Sequence, residues 1–257
     1  MRGRGVRSAH DQLSRGGPAH TWPISLVGNR DNRIVGGENT TIDKVPYQIS
    51  LQYLNEHICG GCIISDMWII TARHCVNGND KNFTIRAGST THDHGGSLHT
   101  IAEIFRYENN TEPPHDDIAL IRLNEPLYLD ETRQPIQMFK ISEVSNPGTI
   151  ATISGWGNTT NGFPAVLQIA NVPIISKAQC NESYAAIGGI PEKQICAGWP
   201  DGAKNVCNKD SGGPLVIEKR LAGIVSWGGE DCRAAGFPGV YTEISEYRSW
   251  IKEKSEL

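Results

Sequence analysis

Cys207-Asn208-Lys209-Asp210-Ser211-Gly212-Gly213-Pro214 is the stretch on which the reading of this chain turns. A serine between an acid and two glycines sits on a tight turn, where its hydroxyl can serve as a nucleophile. Upstream, Thr71-Ala72-Arg73-His74-Cys75 places a histidine beside a cysteine, and Asp116-Asp117-Ile118-Ala119-Leu120 puts acids at the head of an apolar run. Arg33-Ile34-Val35-Gly36-Gly37 sets a basic residue before a small apolar start. Singly, these read as a turn serine, a structural histidine, a strand-edge acid and a strand with its turn. Together they supply what a serine hydroxyl needs: a base to take its proton and an acid to orient that base.

Working outward, Arg33 leaves most of the 257 residues downstream, enough for a large core in one domain or two fused halves. A net charge of -4 carries no electrostatic footprint for nucleic acid. No apolar run is long enough to span a membrane as a helix. The cysteines number seven, an odd count that leaves at least one unpaired within the chain. Sequons start at Asn39, Asn82, Asn109, Asn158 and Asn181, and with the cysteines they point to an oxidising, secretory route and an extracellular protein. Residues 1–33 show no secretory signal, because Pro23 and Ser25 interrupt their most apolar piece. They read as a disordered leader or pro-piece, too poor in apolar surface to order themselves.

Beyond Arg33 the texture is all-β. Short β-rich runs are expected at 47–53, 62–71, 83–87, 101–107, 118–123, 149–154, 167–172, 214–217 and 221–226, separated by Gly, Pro and Asn clusters. One helix is expected over 245–256, where Tyr247, Trp250 and Ile251 fall near one face of an otherwise charged segment.

The four motifs, in this order, resemble the chymotrypsin/trypsin family of serine endopeptidases, and the resemblance runs from Ile34 to about Trp250. It implies two six-stranded antiparallel barrels with the active-site cleft between them and a C-terminal helix. On this division barrel one spans about 34–123, the connector 124–137, and barrel two with the helix 138–257. It implies Ser211 as nucleophile, His74 as general base and acid, and Asp117 as the residue that fixes the imidazole tautomer. Asp117 fits better than Asp116 because it directly precedes Ile-Ala-Leu, which leaves Asp116 as a solvated neighbour. Backbone N–H groups of Lys209 and Ser211 would form the oxyanion hole. Cleavage after Arg33 would free an ammonium on Ile34 to pair with Asp210, so the uncut chain is expected to be a zymogen awaiting a trypsin-like activating protease. The resemblance further implies pairs Cys59–Cys75, Cys180–Cys196 and Cys207–Cys232. Cys62 is left over and reads as a small buried hydrophobe.

Three departures from the family pattern bear on function. Lys209 stands where glycine is usual, and a positive φ there would cost roughly 1–2 kcal/mol. Its long side chain is expected to slow turnover and to fit rigid protein inhibitors poorly. Arg73 replaces a small residue before His74, and either pairs with Asp116, crowds Asp117, or reaches solvent. The specificity pocket takes Asn205 and Val206 at its base, with Gly228 and Gly239 as walls. A neutral amide cannot offset the desolvation of a cation, so specificity for Arg or Lys is not expected.

Polypeptide substrates and protein inhibitors are the expected partners of a monomer, with no cofactor and no metal. His92, Asp93, His94 and His99 lie close together but in a Gly- and Thr-rich loop without helical spacing. The alternative to an active peptidase is a catalytically silent or feeble relative acting as a binding protein.

Overall fold

The computed structural model describes residues 36–108, 114–159, 162–229 and 231–257. Among these residues fourteen strands and two α-helices follow in chain order: β1 (Glu38–Asn39), β2 (Gln48–Tyr53), β3 (Glu56–Ile63), β4 (Trp68–Thr71), β5 (Phe83–Ala87), β6 (Ser97–Arg106), β7 (Ala119–Leu123), β8 (Gln137–Met138), β9 (Ile150–Gly155), β10 (Gln168–Ile175), α1 (Lys177–Ser183), β11 (Gln194–Ala197), β12 (Pro214–Ile217), β13 (Arg220–Trp227), β14 (Gly239–Glu243) and α2 (Ile244–Ser255).

Strands β2-β3-β4-β7-β6-β5 close into one antiparallel barrel. Strands β9-β10-β11-β14-β13-β12 form a second, closed by the pairing of β12 with β9. Burial alternates with period two in β5 and β10, while β12 and β13 are buried nearly throughout. In β5, Phe83, Ile85 and Ala87 point inward while Thr84 and Arg86 point out. The first interior holds Ile49, Leu51, Ile63, Ile69, Ile85 and Ile121. The second holds Ile153, Val172, Leu215, Val225 and Tyr241. At roughly 2 kcal/mol for each fully buried aliphatic side chain, these interiors outweigh any single polar contact in the fold.

A third apolar cluster forms the seam between the barrels. Ile70 and Leu120 come from the first, Val216 and Ile224 from the second, and Tyr247 and Ile251 from α2. Cys62 lies in this seam, fully buried and unpaired, and burial pushes its thiol well above the ordinary range. The polar counterpart of the seam is a buried bond in which Ser154 Oγ donates to Gln48 Oε1 at 2.8 Å.

The strand expected over 62–71 is two strands with a turn between them. Ser65 Oγ accepts from Met67 N and Trp68 N at 3.2 and 3.1 Å, which reverses the chain between β3 and β4. The disulfides are Cys59–Cys75, Cys180–Cys196 and Cys207–Cys232. No helix among the described residues is long and apolar enough to cross a membrane.

Candidate active site

His74 rides on a 3-10 turn, Arg73–Val76, that leaves the end of β4 and is tied to β3 by the Cys59–Cys75 bridge. Asp117 immediately precedes the β7 region and is 1% exposed. Its carboxylate is fully engaged. His74 Nδ1 donates to Asp117 Oδ2 at 2.8 Å, and His74 N donates to Asp117 Oδ1 at 2.9 Å. Ser226 Oγ, from β13, donates to the same Oδ2 at 2.5 Å, and Thr242 Oγ1, from β14, donates to the Asp117 carbonyl at 2.9 Å. The acid of one barrel is therefore held from the other. This geometry fixes the imidazole with its proton on Nδ1 and leaves Nε2 as a base.

The loop 207–214 is anchored to both barrels. Gly60 N donates to Ser211 O at 2.8 Å, and Gly212 N donates to Val225 O at 2.7 Å. Gly212 has φ +78°, and a Cβ there would run into Thr71 Oγ1 and approach Gly60 O at 2.6 Å, so only glycine lets the loop settle this close to β3 and β4. Ser211 lines a cavity of about 280 Å³, and His74 lines a neighbouring one of about 470 Å³. Ser226 and Trp227 border both cavities. Among the described residues no hydrogen bond joins Ser211 Oγ to His74, whose Nε2 faces Cys75 Sγ at 3.7 Å. Catalytic hydrogen bonds in unliganded enzymes commonly tighten only around substrate. Among the described residues the Lys209 and Ser211 N–H groups donate to no protein acceptor, the condition an oxyanion hole requires.

Lys209 adopts φ +74°, so the chain does place a long side chain in a glycine conformation. Its ammonium is folded 4.2 Å over the ring of Phe163, a residue 53% exposed. Its carbonyl is held by His57, a residue that sequence reasoning missed. His57 Nε2 donates to Lys209 O at 3.2 Å while Nδ1 accepts from Ser50 Oγ at 2.8 Å. Burial, reinforced by neighbouring His92, pushes the His57 imidazole down to about 3, so it stays neutral.

Asp210 is buried, and burial raises its carboxyl to about 7. Gly157 N donates to Oδ1 at 2.8 Å and Cys207 N to Oδ2 at 3.0 Å. Among the described residues no cation pairs with it. Arg33 and Ile34 lie outside the described residues.

Of the expected pocket residues, Val206 and Gly228 line the cavity beside Ser211. Asn205 is buried with its amide already engaged. Its Nδ2 donates to Phe237 O at 3.0 Å, and its Oδ1 accepts from Val206 N at 2.9 Å. Gly239 packs so closely that a Cβ there would meet Val206 Cγ2 at 2.7 Å, Asn205 Oδ1 at 2.8 Å and Tyr241 Oη at 3.2 Å. Tyr241 Oη is buried without a hydrogen-bond partner, and sequence reasoning gave no signal for it beyond its place two residues after Gly239.

Asp116 is not the solvated neighbour expected. It is 8% exposed, and its Oδ1 accepts from Tyr247 Oη at 2.8 Å and from Lys193 Nζ at 3.2 Å. Of the four residues expected in one loop, His99 lies in β6 with its Nε2 bonding Ser97 Oγ at 2.7 Å, His94 Nδ1 bonds Asp93 at 2.7 Å, and the His92 ring lies tilted beside that of His57, 5.2 Å between centres. Cys59, His74 and Cys75 lie within metal-ligand reach of one another, but both sulfurs are in a disulfide and carry no thiolate.

Comparison with known proteins agrees with this architecture. The family model described as Trypsin matches residues 34–251. The chain is 38% identical to Trypsin 5G1 of Aedes aegypti over 244 residues, covering 93% of this chain and 91% of that protein. It is 39% identical to the vitellin-degrading protease of Bombyx mori over 241 residues, covering 92% and 90%. The solved structure of neuropsin, a serine protease of mouse brain, superposes with a TM-score of 0.77 at 34% identity, covering 85% of this chain and 98% of that one.

Proposed function

This chain belongs to the trypsin family and is a serine-type endopeptidase, and from that premise we propose that it cleaves polypeptides through Ser211, His74 and Asp117. The observation that carries the reading is the His74–Asp117 pair at 2.8 Å, clamped from the second barrel by Ser226 and set beside the cavity that Ser211 lines. Ser211 attacks the scissile carbonyl. His74 Nε2 takes the hydroxyl proton and returns it to the leaving amine, while Asp117 stabilises the imidazolium. The Lys209 and Ser211 N–H groups receive the oxyanion, a contribution of about 3 kcal/mol per donor.

The same reading makes the uncut chain a zymogen, activated in an oxidising, extracellular setting by cleavage after Arg33, with residues 1–33 as the piece removed. Asp210 supports it: a sealed carboxyl with two N–H donors and room in its chemistry for the Ile34 ammonium. Specificity follows from the pocket. Asn205 spends both ends of its amide on backbone groups, and Val206 presents methyls to the cavity. Among the described residues that line it there is no carboxylate to receive a cationic side chain, so neutral residues, large and apolar ones among them, are the substrates.

The test is a fluorophosphonate reaction on the chain cleaved after Arg33. Stoichiometric modification at Ser211, lost in Ser211→Ala, is the expected result. A folded, cleaved chain that stays unlabelled would sink the reading. A positional peptide library then reports the residue before the cut, and dominance of Arg or Lys would reject the proposed specificity.

A further inference from the structure

Gln194 opens β11 and is 2% exposed, yet it belongs to none of the sequence motifs. Its amide joins three elements. Trp227 Nε1 donates to Gln194 Oε1 at 2.9 Å. Gln194 Nε2 donates to the Pro114 carbonyl at 2.7 Å and to Ser226 Oγ at 3.3 Å. The amide orientation follows from its partners, because an indole N–H can only donate and a carbonyl can only accept. Ser226 Oγ in turn donates to Asp117 Oδ2, the oxygen that receives the His74 Nδ1 proton. The bonds run in one direction, from the Trp227 indole through Gln194 and Ser226 to the carboxylate.

We propose that Gln194 is a positioning residue that couples the Trp227 wall of the cleft to the Asp117–His74 pair through Ser226. By filling the acceptor side of Ser226 Oγ, it leaves that hydroxyl one favourable direction, toward Asp117. Trp227 borders both the cavity of Ser211 and the cavity of His74, so a substrate backbone laid along it presses on the same chain of bonds that sets the imidazole. Pro114 immediately precedes the segment carrying Asp117, and its bond to Gln194 ties that segment to β11 as well. Hydrogen bonds in a buried series polarise one another, so loss of the middle member is felt at both ends. The proposal rests on the His74–Asp117–Ser211 reading above.

Gln194→Met keeps the volume of the side chain and removes all three bonds. The cleaved variant is compared with the parent by kcat per fluorophosphonate-titrated site, on a short ester and on a long peptide that reaches Trp227. The proton NMR resonance of His74 Nδ1–H is followed in parallel. The expected result is a fall in kcat on the order of fivefold on both substrates, a value matching the loss of one ordinary hydrogen bond. KM is expected to rise for the long peptide alone, and the Nδ1 proton resonance to move. A merely structural role would lower the number of titrated sites without changing kcat per site. Unchanged kcat per titrated site with an unmoved Nδ1 proton overturns the proposal. Should Gln194→Met not fold, Trp227→Phe removes the indole N–H from the other end, and the same resonance decides. If the parent itself fails to label at Ser211, the catalytic reading has failed, while the Nδ1 proton still tests the Gln194 link.

Discussion

Lys209 carries a backbone conflict that Phe163 offsets. A non-glycine side chain at φ +74° costs about 1 kcal/mol, and the Phe163 ring returns a similar amount by holding the ammonium at 4.2 Å. What does not cancel is steric. The side chain springs from the same residue whose N–H is the proposed oxyanion donor, and its ammonium is held over Phe163. Lys209→Gly is expected to raise kcat/KM severalfold and to tighten binding of a rigid protein inhibitor, with little change in Tm. Unaltered turnover and unaltered inhibitor affinity would refute that role. Asp210 gives a prediction of opposite kind. Its carboxyl titrates near 7 in the fold against an ordinary value of 3.8, so the native chain holds the proton more tightly than the unfolded one. The stability this contributes is complete below about pH 4 and is lost as pH rises toward 7, an effect on the order of 4 kcal/mol. Denaturant titration of the uncut chain should therefore show stability falling between pH 4 and 7 relative to Asp210→Asn. Parallel curves for the two proteins would show that the buried carboxyl is compensated otherwise.

At the scale of elements, the loop 207–214 depends on Gly212 more than on any side chain it carries. Gly212→Ala places a methyl against Thr71 and Gly60 and lifts Ser211 away from β3. The expected outcome is loss of fluorophosphonate labelling with far-UV circular dichroism retained, and full labelling would show that the approach is not required. Much of this level was legible beforehand. The runs 83–87 and 214–217 match β5 and β12 residue for residue, because strict alternation or a bounded apolar run is a local signal. The break between β3 and β4 was not legible as an apolar pattern, since Ile64 and Trp68 continue it through a turn made by a Ser65 hydroxyl. Helix α1 did have a signal that the reading passed over. Ser176 caps it by accepting from Gln179 N at 3.3 Å, and Ser-x-x-Gln is a capping-box spacing. Strands β11 and β14 are short and lean on each other, so neither announces itself alone. In the site, motif order named His74, Asp117 and Ser211. Ser226, His57 and Gln194 act through contacts between residues far apart in sequence, and no local pattern encodes those.

For the molecule as a whole, the decisive feature is that its third apolar cluster is shared between the two barrels. Ile70, Leu120, Val216, Ile224, Tyr247 and Ile251 draw on both halves and on α2. Separating the halves would expose all of it, at roughly 25 cal/mol for each Å² of apolar surface. Calorimetry is expected to show a single cooperative endotherm, and two resolved transitions would contradict a shared seam. That seam also shuts away Cys62. Oxidative refolding from the reduced, denatured state thus becomes a race. Until the halves dock, the odd sulfur competes with its six neighbours for partners, and each wrong bridge blocks the docking that would retire it. Replacing Cys62 with alanine would trade a little packing for a higher yield of correctly bridged molecules.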